Sequence, residues 1–143
     1  MQRRVFGNLK KQKTMKPITI YISGKISGLA DLNKPKFAAA AVLIKDLYRG
    51  HHNTIINPHD LDHSKNEKKE WELYIRICLI ALMKADEVVV LDDWKQSRGA
   101  IIEVLLADLL GMDIYPIETP TRRIVLSKKT KLKLVIKVLL NII

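Results

Sequence analysis

Short β-branched runs that alternate with helical segments leave this chain few choices of fold. Residues 18–23 (ITIYIS) lie between Pro17 and Gly24 and read as a strand, and residues 87–91 (EVVVL), following Asp86, read as a fully buried one. Weaker strand signals occupy 54–57 (TIIN), closed by Pro58, and 113–117 (DIYPI). Between them the period changes. Residues 34–49 read as a helix with an alanine-rich face and Gly50 as its stop. Residues 67–84 carry Trp71, Tyr74, Ile75, Cys78, Leu79 and Leu82 at spacings of three and four, and 99–110 form a third helix capped by Gly111. Strands alternating with helices specify βαβ units and a parallel sheet covered on both faces. The whole chain has 143 residues, enough for one such domain with a core of its own.

The net charge of +10 invites a nucleic-acid reading, but its distribution argues otherwise. Residues 1–17 carry +6 and residues 118–143 another +6, whereas 18–117 carry −2. The basicity belongs to two tails. Residues 1–16 show no period and are expected to be a flexible basic arm; Met15, directly before the first strand, offers an alternative start. In 121–143, Leu132, Val135, Ile136, Leu139, Leu140 and Ile143 recur at helical spacing among five lysines. That pattern suits a basic amphipathic helix, packed on its own domain, on a partner or on a membrane, and its β-branched content leaves a strand open. The single cysteine, Cys78, excludes an internal disulfide. No apolar run is long enough to span a bilayer, and no apolar stretch follows the N-terminal basic residues as in a secretory signal. The expectation is a cytoplasmic protein with neither nucleic acid nor membrane as its main partner.

In a parallel sheet, ligands bind at the carboxyl ends of the strands, which selects the loops 23–28, 57–64 and 92–98. The first, SGKISG, has two glycines that admit a ligand close to the backbone, and its free amides with Ser27 could hold a phosphate, although turns need glycine too. In the third, Ser97 precedes the helix start at Gly99 and could cap the helix or hold an anion. Glu103 sits one turn into the otherwise apolar stretch 100–106, so its carboxylate is either solvated or held in a site. Histidines 51, 52, 59 and 63 cluster near Asp60 and Asp62, but in a loop; they read as loop polar groups, with no metal expected. Cys78, on the apolar helix face, reads as a small buried side chain.

Taken together, YISGKISG at 21–28, Asn57–Pro58, ADEVVVL at 85–91 and WKQSRGAIIE at 94–103 resemble the nucleoside 2-deoxyribosyltransferase superfamily, especially its small bacterial and phage members. The resemblance spans residues 18–117. It implies a Rossmann-like, flavodoxin-like sheet of four to five strands over residues 17–118, with 119–143 as an appended basic segment. It also implies cleavage of the N-glycosidic bond of a 2′-deoxynucleoside or its 5′-monophosphate, by hydrolysis or by transfer to another base, without a cofactor. Glu103 falls on the nucleophile and Tyr21 on the tyrosine that orients it. Ser97, where phosphate-binding members have serine, joins Gly24, Ser27, Gly28 and Gly99 in an implied phosphate pocket, to which Lys25 adds charge. Asn57, Asp92 and Asp93 complete the residues expected to meet substrate. Family sites are usually completed by a neighbouring subunit, so a homodimer or larger homo-oligomer is expected.

Two departures matter. Eight residues before Asp86, active members carry an aspartate that acts near the leaving base; here Cys78 stands there, and a thiol does not replace a carboxylate in proton transfer at neutral pH. Asp92–Asp93 replace the usual Pro–Gly before the tryptophan, and either acid could assume the missing role. Two alternatives to an N-glycosidase therefore stay open: a nucleotide-binding module without turnover, and a protein acting on nucleic acid or membrane through its basic tails.

Overall fold

The structure, a computed structural model, describes residues 16–49 and 52–141. Four strands, β1 (Ile18–Ser23), β2 (Asn53–Ile56), β3 (Glu87–Val90) and β4 (Asp113–Pro116), alternate with four helices, α1 (Lys34–Leu47), α2 (Trp71–Leu82), α3 (Arg98–Leu109) and α4 (Lys128–Leu140). The sheet is parallel throughout, in the order β2-β1-β3-β4. This is the Rossmann-like, flavodoxin-like α/β arrangement, with four strands. The chain leaves β1 to one side for β2 and then crosses to the other side for β3. The carboxyl ends of β1 and β3, level at the Ser23–Val90 pair, therefore flank the switch point.

Strand alternation divides the core in two. Ile18, Ile20 and Ile22 of β1, with Val89 and Leu91, pack against Phe37, Ala40 and Ile44 of α1. Tyr21 of β1, with Val88 and Val90, faces the opposite layer, where Cys78 and Leu82 of α2 and Ala100, Ile101 and Val104 of α3 cover the sheet. Each fully buried Ile or Val here contributes about 1.5–3 kcal/mol by leaving water, enough to fix which side of β1 faces α3. Helix α4 packs on α3 through buried Leu134 and the Lys131–Asp108 ion pair, so the C-terminal segment is helical with its inner face on this domain. The expected arm before residue 16, Gly50 and Ile143 lie outside the described residues.

Most boundaries fall within two residues of expectation, and two of the differences have a visible cause. Helix α2 begins at Trp71, four residues later than the expected start at 67. Asn66 explains this: its amide oxygen accepts the Glu70 N–H (2.8 Å) and its amide nitrogen donates to the Glu70 carbonyl (2.9 Å), pinning a turn in which Lys69 takes a positive φ. Helix α1 ends at Leu47, where the buried Tyr48 leaves helical geometry and donates to Glu87 (3.0 Å). The stop of α3 follows the sequence. Gly111 adopts a φ of +73°, the Gly111 N–H bonds the Asp108 carbonyl and the Met112 N–H bonds the Ala107 carbonyl, forming a Schellman motif. Among the described residues, no helix is long and apolar enough to cross a membrane.

Candidate functional site

Residues two apart on a strand point the same way, so Tyr21 and Ser23 both leave β1 toward α3. There they meet Glu103, one turn and a half into that helix. The Tyr21 hydroxyl donates to Glu103 Oε2 and the Ser23 hydroxyl donates to Oε1 at 3.0 Å. Glu103 is only 5% exposed, so the solvated-glutamate alternative does not hold. Burial pushes its carboxyl up to about 7, against the downward pull of the two hydroxyl donors. Burial, and then the adjacent carboxylate, hold the Tyr21 hydroxyl well above its ordinary range, so it remains a donor. Burial and the same carboxylate push the Cys78 thiol up to about 12, which makes it inert as a nucleophile.

Two connected spaces lead to this carboxylate. An open basin of about 410 Å³ is lined by Lys25, Ser27, Gly28, Trp71, Gln96, Ser97, Arg98, Gly99 and Asn141. No acidic side chain is among them. The Arg98 guanidinium lies over the Trp71 ring at 4.4 Å, and its buried Nε has no hydrogen-bond partner among the described residues. A small inner cavity of about 20 Å³ shares Ser27, Trp71, Ser97 and Gly99 with the basin and is walled further by Gly24, Tyr74, Ile75, Cys78 and Glu103.

The first loop and α3 build the rim. Gly24 must be glycine, since a Cβ there would come within 2.7 Å of Leu91 Cδ1. Gly28 has a φ of +82°. Ser97 is the N-cap of α3, its hydroxyl accepting the Ala100 N–H at 3.2 Å, so of its two expected roles the cap is visible in the geometry. Its side chain still lines both spaces.

Asp92, Asp93 and Asn57 are placed differently. Asp93 accepts the Lys25 N–H (2.9 Å), the Asn33 side-chain amide (3.0 Å) and Lys36 Nζ (3.1 Å), which fastens the first loop to the third. The Lys25 amide is therefore occupied rather than free for an anion. Asp92 pairs with Lys36 at the surface, and Asn57 accepts the His59 N–H to cap the short 3₁₀ turn Pro58–Asp60. None of the three lines either space.

Several lining residues escaped the sequence reading. Trp71, Tyr74, Ile75 and Cys78 form one stripe of α2, read from sequence as core, that faces the inner cavity. Ser23, which holds Glu103 rather than lining either space, reads as both the last residue of the strand and the first of the loop; its i, i+2 relation to Tyr21 is a usable signal. Arg98, Gln96 and Asn141 carried no signal beyond proximity to Ser97 or to the chain's basic end. His59 meets Phe37 edge-on at 5.0 Å, and His63 stacks on Tyr74 at 4.4 Å while its Nε2 lies 3.0 Å from the Pro58 carbonyl. Among the described residues, no three His, Cys, Asp or Glu side chains converge as metal ligands.

A doubly wound parallel sheet with a hydroxyl-held carboxylate beneath the crevice at its switch point defines a Rossmann-like α/β domain with a candidate site at that crevice. Residues 18–115 match the family described as Domain of unknown function (DUF4406), and the chain belongs to that family. No curated protein and no solved structure matches the chain.

Proposed function

We propose that this protein cleaves the N-glycosidic bond of a 2′-deoxynucleoside 5′-monophosphate through a covalent intermediate on Glu103. The observation that carries this reading is the Glu103 carboxylate itself, buried against the inner cavity, held by two hydroxyl donors and poised near neutrality. Such a group can attack an anomeric carbon on which oxocarbenium charge develops, as in a retaining glycosidase. Tyr21 and Ser23 each hold one carboxylate oxygen, fixing the direction of attack. The base leaves with the glycosidic electron pair, and water, or a second base, then releases the sugar from the Glu103 ester. The similarity of 21–28, 85–91 and 94–103 to the nucleoside 2-deoxyribosyltransferase superfamily supports the same chemistry. The acid-free basin, with Lys25 and the unpartnered Nε of Arg98, supports a phosphate on the substrate.

A second reading, a nucleotide-binding module without turnover, is favoured by one observation. Among the described residues Glu103 is the sole carboxylate lining the inner cavity, and Cys78 stands where a second would serve the leaving base. Oligomerisation fits the exposed Leu132, Ile136 and Leu139 on the outer face of α4, whose end reaches the basin at Asn141.

Incubation of the purified protein with the four deoxynucleoside 5′-monophosphates, with free base measured by chromatography, separates the two readings. Base release is the expected outcome. Thermal stabilisation by a nucleotide without release would select the binding module, and neither effect would refute both.

A further inference from the structure

The reaction proposed above needs a group that meets the departing base, and neither Tyr21 nor Ser23 is free for it, since both are committed to Glu103. Ser97 Oγ accepts the Ala100 N–H, and its hydroxyl sits at the rim. Ser27 and Trp71 also carry donors but, like Ser97, line the outer basin as well; the donors confined to the inner cavity are on the stripe of α2, Tyr74 and Cys78. The Tyr74 hydroxyl oxygen is enclosed and has no oxygen or nitrogen partner among the described residues. The Cys78 thiol lines the same cavity and acts electrostatically on both the Tyr74 and the Tyr21 hydroxyls. A thiol is a weak partner for a phenol. A buried hydroxyl with its capacity unmet costs stability, and in a cavity such a group marks a place where a ligand atom completes the bond.

Its orientation is not accidental to the fold. The ring stacks on His63 at 4.4 Å and 14°, clamped between α2 and the loop that follows β2. The helix holds Tyr74 one turn from Cys78, and His63 holds the plane of the ring.

We propose that Tyr74 is the residue that receives the leaving base, donating a hydrogen bond from its hydroxyl to the base as the glycosidic bond breaks. This rests on the N-glycosidase reading of Glu103. In the step, a bond forms between a Glu103 oxygen and the anomeric carbon while the bond from that carbon to the base nitrogen breaks. The electron pair stays on the base, whose developing negative charge is held by the Tyr74 O–H. Water then cleaves the ester, its hydroxyl going to the sugar and its proton to the base. Burial raises the Tyr74 hydroxyl above its ordinary range, so it keeps its proton throughout and acts as a donor rather than as an acid.

The test is Tyr74→Phe, which keeps the ring on His63 and removes only the unpaired hydroxyl, so folding is retained. Expected is a loss of kcat on the order of a hundredfold with KM changed by less than about threefold, and a melting temperature equal to or above that of the wild type. A variant with wild-type kcat would overturn the role of Tyr74 while leaving the N-glycosidase reading standing. So would a loss matched by a fall in melting temperature, because the hydroxyl would then be structural. Absence of base release from the wild-type protein would overturn both.

Discussion

Glu103→Gln is expected to lose base release by a factor on the order of 10⁴ or more, since a nucleophile that acts as one unit with its supports is not replaced by them. Glutamine is the informative substitution because it keeps the size of the side chain and can still meet both hydroxyls. The Tyr21 and Ser23 hydroxyls donate to the two carboxylate oxygens, and one of them can turn to accept from the new amide. What is lost is the negative charge and the ability to form an ester with the sugar. The wild type adds a second readout. The attacking form is the ionised carboxylate, and burial sets its titration at about 7. The pH profile of kcat/KM on the free protein should therefore fall about tenfold per pH unit below that point and level off above it. A Glu103→Gln variant retaining more than about a tenth of wild-type base release would remove Glu103 from the nucleophile role. A flat profile between about pH 5 and 8 would show that its ionisation is not what the reaction needs.

The elements that carried these predictions were unequally legible. The β-branched runs at 18–23 and 87–91 announced buried parallel strands because both faces of such strands are covered, and β1 and β3 are indeed the central pair of the sheet. Glu103 was harder. In 100–106 apolar residues surround it on every side, so no period distinguished an exposed face from a buried one. The structure supplies the reason: α3 lies between the sheet, α2 and α4, and Ala100, Ile101, Val104 and Ala107 are buried while Leu105 and Leu106 still pack against the core. A helix covered on most sides has no polar stripe to read, and a carboxylate within it is conspicuous only once its partners on β1 are known. The opposite error befell α2, whose regular apolar stripe read as core throughout. Ile75, Cys78 and Leu82 are core, but Trp71, Tyr74, Ile75 and Cys78 also wall the cavity. Asp92 and Asp93 lay at the right place in sequence for a ligand, yet the demand for closing two loops at the switch point took Asp93 first, through Lys25, Asn33 and Lys36.

The same carboxylate that is expected to perform the chemistry is expected to weaken the fold, and the same variant exposes both. In the unfolded chain the Glu103 carboxyl ionises near 4.5, whereas in the folded protein burial holds the proton until about 7. Below about pH 4.5 both states are protonated and the group imposes no penalty. As pH rises from 4.5 to 7 the unfolded chain ionises first, so folding stability falls, and above 7 the folded protein carries the full cost of a buried charge. A shift of this size corresponds to about 3 kcal/mol. Glutamine has no proton to lose over this range, so Glu103→Gln should be more stable than the wild type at pH 8. The gain in melting temperature should be on the order of 5–10 °C for a domain of this length, and it should shrink toward zero as the pH is lowered to about 4.5. Thermal melts of both proteins across that range measure it. A variant less stable than the wild type at pH 8 would mean that the two hydroxyl donors more than offset burial. A difference that does not change with pH would mean that Glu103 does not titrate between 4.5 and 7. The predicted exchange, stability gained where turnover is lost, is the signature of a charge kept in an apolar place for function rather than for folding.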